Sequence, residues 1–265
     1  MKLMSKLDIK TYDFYRASNG EFGAYINDKY VIKFYGWCND IIVLDNISSL
    51  FGFKKTNARI IYNNNNDNWT IIEKMWNIQN KNRPLLLNKV LIMDRLPGIP
   101  LCETFSNTGT SGMFDINDPK NPNDAERCKI FNLCYSLGKI LVMDLLIRNN
   151  DRFNLVKFDD FLLSTTDEKR HGKSWRYWGG NYGNILIDTS TWKATPIDSV
   201  FSFATDDDLY CSNIAYLLNS QRSELSFALQ QSLRYNWATF AYTSRYICRG
   251  IERGVSILHN AINMF

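Results

Sequence analysis

A helix that ends in a polar cluster is the feature that most restricts how this chain can fold. Residues 133–154 read LCYSLGKILVMDLLIRNNDRFN, in which apolar residues repeat at helical spacing before an Arg-Asn-Asn-Asp-Arg run. Further along, Asn184 in GNILID and Asp198 in PIDS each stand beside a short β-rich run. We therefore expect Asp151, Asn184 and Asp198 to lie, in that order, at the edges of buried hydrophobic structure.

The composition is that of a soluble globular protein. With 265 residues, the chain can form one two-lobed domain or two small ones. Its net charge of +4 is too small to predict nucleic-acid binding. The six cysteines include no CxxC pair, so reduced thiols in a cytosol-like compartment are expected. With only two histidines, His171 and His259, histidine-based metal or triad chemistry is not expected, and no secretion signal or membrane span is visible.

Three short strands are predicted between residues 12 and 35. The first turn carries Gly20 and Gly23, and glycines let a backbone lie over phosphates because no Cβ blocks the approach, although a plain turn is the simpler explanation of two glycines. Lys33 stands on the third strand with apolar residues on both sides, in VIKF. Such a lysine either extends to the surface or pairs with an anionic group.

A helix is predicted over residues 40–51, with Gly52 ending it. Its two acids, Asp40 and Asp45, are each candidates to hold Lys33, and both also fit as solvated charges on the helix surface. The later stretch WTIIEKMW is compatible with a short helix or a strand.

A buried strand over residues 90–93 runs into Asp94, Arg95 and Leu96 before Pro97-Gly98 turns the chain. A strand that leaves one lobe for another offers a backbone carbonyl and amide of the kind that an adenine edge needs. A strand followed by a turn is the alternative.

The second half of the chain carries the polar cluster. A helix is predicted to start near Asn123, with Glu126 forming a capping box. Asp151 then fits a general base, helped to stay ionised by Arg152, or a carboxylate that stabilises a local turn. The segments NILID and ATPID predict a β-hairpin with Asn184 and Asp198 at one end. These two side chains are candidates for an Mg²⁺ site, or alternatively cap the neighbouring turns.

The interval 155–183 is rich in charged and aromatic residues. Lys169, Arg170 and Lys173, interleaved with tryptophan and tyrosine, could grip a phosphate or an acidic partner. A solvated loop is the default interpretation.

Together these motifs resemble the protein-kinase-like superfamily. VIKF matches the ATP-contacting lysine segment and LIMDRLPG looks like the hinge, while NNDRF stands where protein kinases have His-Arg-Asp and PIDS where they have Asp-Phe-Gly. The long insertion before GNILID and the lack of an Ala-Pro-Glu segment are similar to actin-fragmin kinase and, more distantly, to phosphoinositide kinases and HipA-type kinases. The resemblance covers about residues 12–220.

The resemblance implies an α+β fold with the two lobes of a kinase, built as a single domain over residues 1–265. Its small β-rich N-lobe, 1–97, would carry one helix, and its larger C-lobe, 98–265, would be mainly helical. In the N-lobe, Gly20 and Gly23 would cover the phosphates, Lys33 would contact the α- and β-phosphates, and the backbone of Asp94 and Leu96 would meet adenine.

In the C-lobe, the resemblance makes Asp151 the catalytic base and Asn184 and Asp198 the Mg²⁺ ligands, with ATP and Mg²⁺ as cofactors. The implied activity is phosphorylation of a hydroxyl, with Ser or Thr of actin or another cytosolic protein as the favoured acceptor. The implied location is the cytoplasm, that of the host if the chain comes from a virus or an intracellular pathogen. The alternatives are a non-catalytic kinase-like binding module and a lipid or small-molecule kinase.

Overall fold

The computed structural model describes residues 13–16, 23–34, 38–63, 67–80, 84–104, 123–147, 149–153, 181–199 and 243–262, with three residue pairs between 222 and 230. Helices and antiparallel strands are mixed, which confirms the α+β class. The chain divides into two compact units, Met1–Asn46 with Lys54–Leu96 and Ile47–Phe53 with Pro97–Phe265. Whether these units are the lobes of a kinase stays a prediction.

The first unit contains a five-stranded antiparallel sheet in the order β1-β2-β3-β5-β4. The three strands predicted between residues 12 and 35 are confirmed, and the last strand of the unit pairs with both β3 and β4. The strands are β1 (Asp13–Arg16), β2 (Gly23–Ile26), β3 (Tyr30–Lys33), β4 (Arg59–Tyr62) and β5 (Lys89–Asp94).

Two helices accompany this sheet in the described residues, α1 (Cys38–Leu50) after β3 and α2 (Asp67–Gln79) after β4. The expectation of one helix is therefore wrong, and the stretch WTIIEKMW is helical. Its apolar residues recur every three or four positions and form one buried face, a spacing that a strand would split between its two faces. That face consists of Trp69, Ile72, Met75 and Trp76.

Strand β5 supplies core to both faces of the sheet. Val90 and Ile92 belong to the cluster packed with α2, whereas Leu91 and Met93 contact Ile41 of α1. Successive side chains of a strand point to opposite faces, so this short apolar run is buried on both sides.

Helix α1 ends at the predicted glycine. Gly52 has a φ of +74°, a left-handed conformation that costs glycine little. The Gly52 amide donates to the Ser49 carbonyl (2.9 Å) and the Phe53 amide donates to the Ser48 carbonyl (3.1 Å). This bonding pattern is a Schellman motif, which satisfies carbonyls that the helix end would leave open.

The second unit combines a three-stranded antiparallel sheet with helices. The sheet has the order β6-β7-β8, and α4 begins with the predicted capping box between Asn123 and Glu126. The described elements of this unit include β6 (Ile99–Pro100), α3 (Leu101–Thr104), α4 (Asp124–Leu146), α5 (Asn150–Phe153), β7 (Ile185–Ile187), β8 (Ala194–Pro196) and α6 (Thr243–Ile262).

Helices α4 and α6 pack with their backbones in close approach. A Cβ at Gly250 would overlap the Tyr135 carbonyl oxygen, and one at Gly138 would overlap the Ile247 carbonyl oxygen. Both glycines are buried, so the crossing tolerates no side chain at either position. No helix in the described part of the chain is long and apolar enough to cross a membrane.

Candidate functional site

The predicted hairpin of NILID and ATPID is confirmed as the antiparallel pair β7–β8. Ile185 lies opposite Pro196, and the Ile197 amide donates to the Asn184 carbonyl at 2.9 Å. Asn184 ends a 3-10 turn, Tyr182–Asn184, directly before β7, and Asp198 follows β8 by two residues. The two predicted metal ligands therefore leave the same end of the hairpin.

The opposite end of the hairpin is a tight turn fixed by its own side chains. The carboxylate of Asp188 accepts from the Ser190 hydroxyl (2.6 Å) and the Ser190 amide (2.9 Å), and these bonds lower the pKa of Asp188. The Asn132 side-chain amide on α4 donates to the Thr191 carbonyl at 2.8 Å. The hairpin is thus anchored to α4 at its turn.

Asp198 has an uncommon backbone conformation. Its φ is +53°, in the left-handed region that side chains with a Cβ avoid, although aspartate tolerates it better than most. Its side chain is half-buried. Residues held in such conformations persist only where their surroundings impose them, and they concentrate at functional sites.

The guanidinium of Arg152 is the centre of the hydrogen bonds around this end of the hairpin. It is fully buried, and Nη1 donates to Asp144 Oδ1. Its Nε donates to the Asn184 carbonyl at 3.2 Å. Its Nη2 donates to the Ile197 carbonyl at 3.1 Å and to the Ser199 hydroxyl. Arg152 therefore contacts the backbone of one predicted metal ligand and both neighbours of the other.

Asp144 and Asn149 complete this buried network. Asp144 lies on α4 with no exposed surface, and Asn149 is 1% exposed. The Asn149 side-chain amide donates to Asp144 Oδ1 at 3.1 Å, and its backbone amide donates to the Asp144 carbonyl at 2.8 Å. Sequence reasoning assigned no role to Asp144. The available signal was a carboxylate inside the most apolar stretch of the chain, since a buried charge requires a partner.

Asp151, the predicted base, is the second residue of α5. Its side chain lies outside the described residues, so the predicted effect of Arg152 on its charge stays a prediction. Phe153, two residues after Asp151, is buried. Its ring meets that of Tyr182 edge-on, with the ring centroids 6.4 Å apart. The helix that carries Asp151 thus packs against the turn that carries Asn184.

The predicted phosphate-contacting residues belong to the first unit. Lys33 is the last residue of β3, lies between Ala24 and Leu91 in the sheet and is half-buried. Gly23 is the first residue of β2, opposite Arg16. Gly20 lies outside the described residues.

The predicted adenine-contacting backbone is partly engaged. The Asp94 amide donates to the Thr56 carbonyl at 2.6 Å, so it is already used within the unit. The Asp94 carboxylate accepts from Asn57 Nδ2 at 2.7 Å and lies 3.6 Å from Arg59 Nη2. Leu96 follows in the loop with its side chain buried. The predicted adenine contact at the Asp94 backbone would therefore have to use the carbonyl oxygen rather than the amide.

The two acids of α1 differ in their contacts. The Asp45 carboxylate accepts from the Thr56 amide (2.7 Å), the Thr56 hydroxyl (3.0 Å) and the Ala58 amide (3.4 Å). It therefore fastens the loop between α1 and β4. Asp40 is half-buried in the first turn of α1, and which of the two acids holds Lys33, if either, stays a prediction.

Asn184 and Asp198 fit an Mg²⁺ ion by the chemistry of their donors. Both side chains offer oxygen, which Mg²⁺ prefers, and Mg²⁺ commonly takes one or two protein ligands with phosphate and water completing its shell. The backbone carbonyl of Asn184 accepts hydrogen bonds from Arg152 Nε and from the Ile197 amide, so the metal prediction concerns the side-chain oxygen of this residue. Among the described residues, no group of three His, Cys, Asp or Glu side chains could hold a metal ion.

The basic residues of the long insertion, Lys169, Arg170 and Lys173, lie outside the described residues. A scan of the sequence against models of known protein families gives no match, and a search among curated proteins finds no similar one.

Proposed function

We propose that this chain is an ATP- and Mg²⁺-dependent phosphotransferase that phosphorylates a hydroxyl, with Ser or Thr of a protein as the favoured acceptor. One observation carries the proposal. The buried guanidinium of Arg152 joins the helix that bears Asp151 to the backbone of Asn184 and to both neighbours of Asp198. These bonds hold together three segments far apart in sequence. Each of the three is predicted from the sequence to carry a residue for phosphoryl transfer.

In this proposal each residue has one task. Asp151 accepts the proton of the acceptor hydroxyl. The hydroxyl oxygen bonds to the γ-phosphorus at the same time, and the bond from that phosphorus to ADP breaks, so ADP leaves. Lys33 contacts the α- and β-phosphates, as the lysine on the third strand of a kinase does. Asn184 and Asp198 would hold Mg²⁺, which would supply neutralisation of the charge on the phosphate oxygens. Positioning and charge neutralisation supply most of the catalysis for this type of reaction.

The proposal is tested with radiolabelled ATP, the purified protein and a cell extract that supplies acceptors. Asp151→Asn and Asp198→Ala are expected to abolish transfer, with Asp198→Ala also weakening Mg-ATP binding. Asp188→Asn is the matched control, because it changes an acid at the opposite end of the same hairpin. Labelling at the wild-type level by both site variants would refute the assignment.

A non-catalytic kinase-like binding module is the second candidate, and the contacts of Asp45 favour it. A kinase needs an acid on this helix to orient the lysine, and Asp45 is bound to Thr56 and Ala58 instead. Thermal unfolding with and without Mg-ATP separates the two candidates. Stabilisation by ATP that requires Mg²⁺ and is lost in Asp40→Asn favours the enzyme, whereas no stabilisation favours the module.

A further inference from the structure

We infer that Arg152 and Asp144 are a positioning pair that fixes the two proposed metal ligands relative to the helix of the proposed base. This inference rests on the proposed function and adds residues that take no part in it as ligand or base.

The guanidinium of Arg152 binds in three directions at once. It reaches α4 through Asp144, the start of β7 through the Asn184 carbonyl, and the end of β8 through Ile197 and Ser199. A guanidinium is planar and presents five donors in a fixed fork, so its three sets of partners cannot shift independently. Lysine in the same place would offer one point charge without this geometry.

Asp144 holds the fork in place from the helix side. Both side chains of the pair are fully buried. The Asn149 side-chain amide donates to the same carboxylate, and the Asn149 backbone amide donates to the Asp144 backbone carbonyl, so both bonds tie the loop before α5 to Asp144. A buried ion pair generally stabilises a fold no better than well-packed apolar side chains do. Stability alone therefore does not explain why a charged pair is buried here. The directional bonds from Arg152 to the segments of Asn184 and Asp198 do explain it.

The backbone conformation of Asp198 supports a positioning role for Arg152. The residues on either side of it, Ile197 and Ser199, are both bonded to the same nitrogen of Arg152, and Asp198 itself has a φ of +53°. Two bonds from one rigid group to both neighbours of a strained residue act as a clamp on it. Release of the clamp would let Asp198 relax away from the orientation that it has here.

The sharpest test removes one bond and leaves the ion pair intact. Ser199→Ala deletes the hydroxyl that Arg152 contacts. Ser226→Ala is the matched control, since Ser226 is also a largely buried serine whose hydroxyl bonds the Ser223 carbonyl (2.8 Å) and the Ser244 hydroxyl (3.0 Å). Bound Mn²⁺, as a spectroscopic substitute for Mg²⁺, is titrated by electron paramagnetic resonance with ATP present. We expect Ser199→Ala to weaken Mn²⁺ binding about 10-fold, the lower end of the range for residues that orient metal ligands. The control should bind Mn²⁺ as the wild type does.

Arg152→Lys tests the fork itself. It keeps the buried charge beside Asp144 but cannot span the three sets of partners. We expect kcat to fall about 100-fold, with a raised Mg²⁺ requirement and little change in the KM for the acceptor. Urea unfolding is measured in parallel to separate lost stability from lost positioning.

The double variant Asp144→Leu with Arg152→Met protects the test against a failure to fold, because it removes both buried charges together. A folded double variant is expected to lose both Mn²⁺ binding and phosphoryl transfer. Wild-type Mn²⁺ binding and turnover in Ser199→Ala, Arg152→Lys and a folded double variant, with only the urea midpoints lowered, would overturn the inference. A wild-type protein that transfers no phosphate and binds no Mn²⁺ with ATP would instead refute the proposed function, and this inference with it.

Discussion

Asp198 shows how a single residue can carry both strain and a proposed chemical task. Its φ of +53° is held between two bonds from Arg152, and its side chain is one of two candidates for the metal. Functional residues are often kept in conformations that lower stability, because the geometry serves the chemistry. The strain can be measured apart from the chemistry.

Asp198→Gly and Asp198→Ala are expected to differ in stability in the reverse of the usual order. Both remove the carboxylate, but only glycine enters the left-handed region at no steric cost. We expect Asp198→Gly to be more stable than Asp198→Ala by about 1 kcal/mol, measured by urea unfolding. An alanine variant that is equally stable or more stable would show that the residue is not strained.

Lys139 on α4 gives a second prediction for a single residue. Its Nζ donates to the Phe51 carbonyl at 2.8 Å and lies 4.4 Å from the centroid of the Phe53 ring. Burial, with repulsion from Arg253 and Lys193, lowers the pKa of Lys139 to about 8. In the unfolded chain the lysine keeps its ordinary pKa of 10.5.

Between these two pKa values the unfolded chain binds more protons at Lys139 than the folded protein does. The contribution of Lys139 to stability therefore rises as the pH increases from about 8 to about 10.5. Other groups titrate in this window, so Lys139→Met serves as the reference. We expect the free energy of unfolding of the wild type minus that of the variant to increase between about pH 7.5 and about pH 9.5. A difference that stays constant or falls would contradict the lowered pKa.

In the described part of the second unit, α4 and α6 pack closely together, and α4 also carries Asp144. A Cβ at Gly250 would overlap the Tyr135 carbonyl. The two helix backbones are therefore too close for any side chain at this position. Helix α4, whose Asp144 bonds Arg152, therefore packs along α6. Loosening this crossing should act on the site through stability.

Gly250→Ala is expected to destabilise the protein by about 1–3 kcal/mol, the usual cost of forcing extra atoms into a packed core. In an exposed helix the same change would stabilise by about 1 kcal/mol, so the sign alone is informative. Asn260→Ala, at an exposed position of α6, is the control and should leave the thermal midpoint nearly unchanged. A stabilised Gly250→Ala variant would show that the helices do not touch here.

Over the whole chain, local signals predicted elements better than they predicted partners. The capping box of α4, the glycine that ends α1 and the β7–β8 hairpin all follow from short stretches whose residues interact with near neighbours. The helical state of α2 stayed open because the eight residues WTIIEKMW are short enough for a strand as well as for a helix. One of the boundaries between the two units, between Leu96 and Pro97, lies at the Pro-Gly turn, whereas the assignment of Ile47–Phe53 to the second unit has no sequence signal.

The candidate site was less predictable than the secondary structure. Contacts between residues far apart in the chain produce no repeating pattern in the sequence. Sequence reasoning assigned Arg152 to Asp151, its neighbour, whereas the guanidinium bonds to Asp144, Asn184 and residues beyond β8. Asp45 was likewise open as a partner of Lys33, and its carboxylate bonds the loop at Thr56 and Ala58. Which of several polar groups a buried charge meets depends on the packing of elements far apart in sequence.

The phosphotransferase assignment is tested most directly by following the position of the label. The wild-type protein is incubated with ATP labelled at the γ-phosphate or, in parallel, at the α-phosphate, with Mg²⁺ or with a chelator, and with Asp151→Asn as the control. The proposal predicts label on a hydroxyl acceptor from the γ-phosphate only, dependent on Mg²⁺ and absent in the variant. Transfer from the α-phosphate, transfer that persists with the chelator or in the variant, or no transfer by the wild type would contradict it.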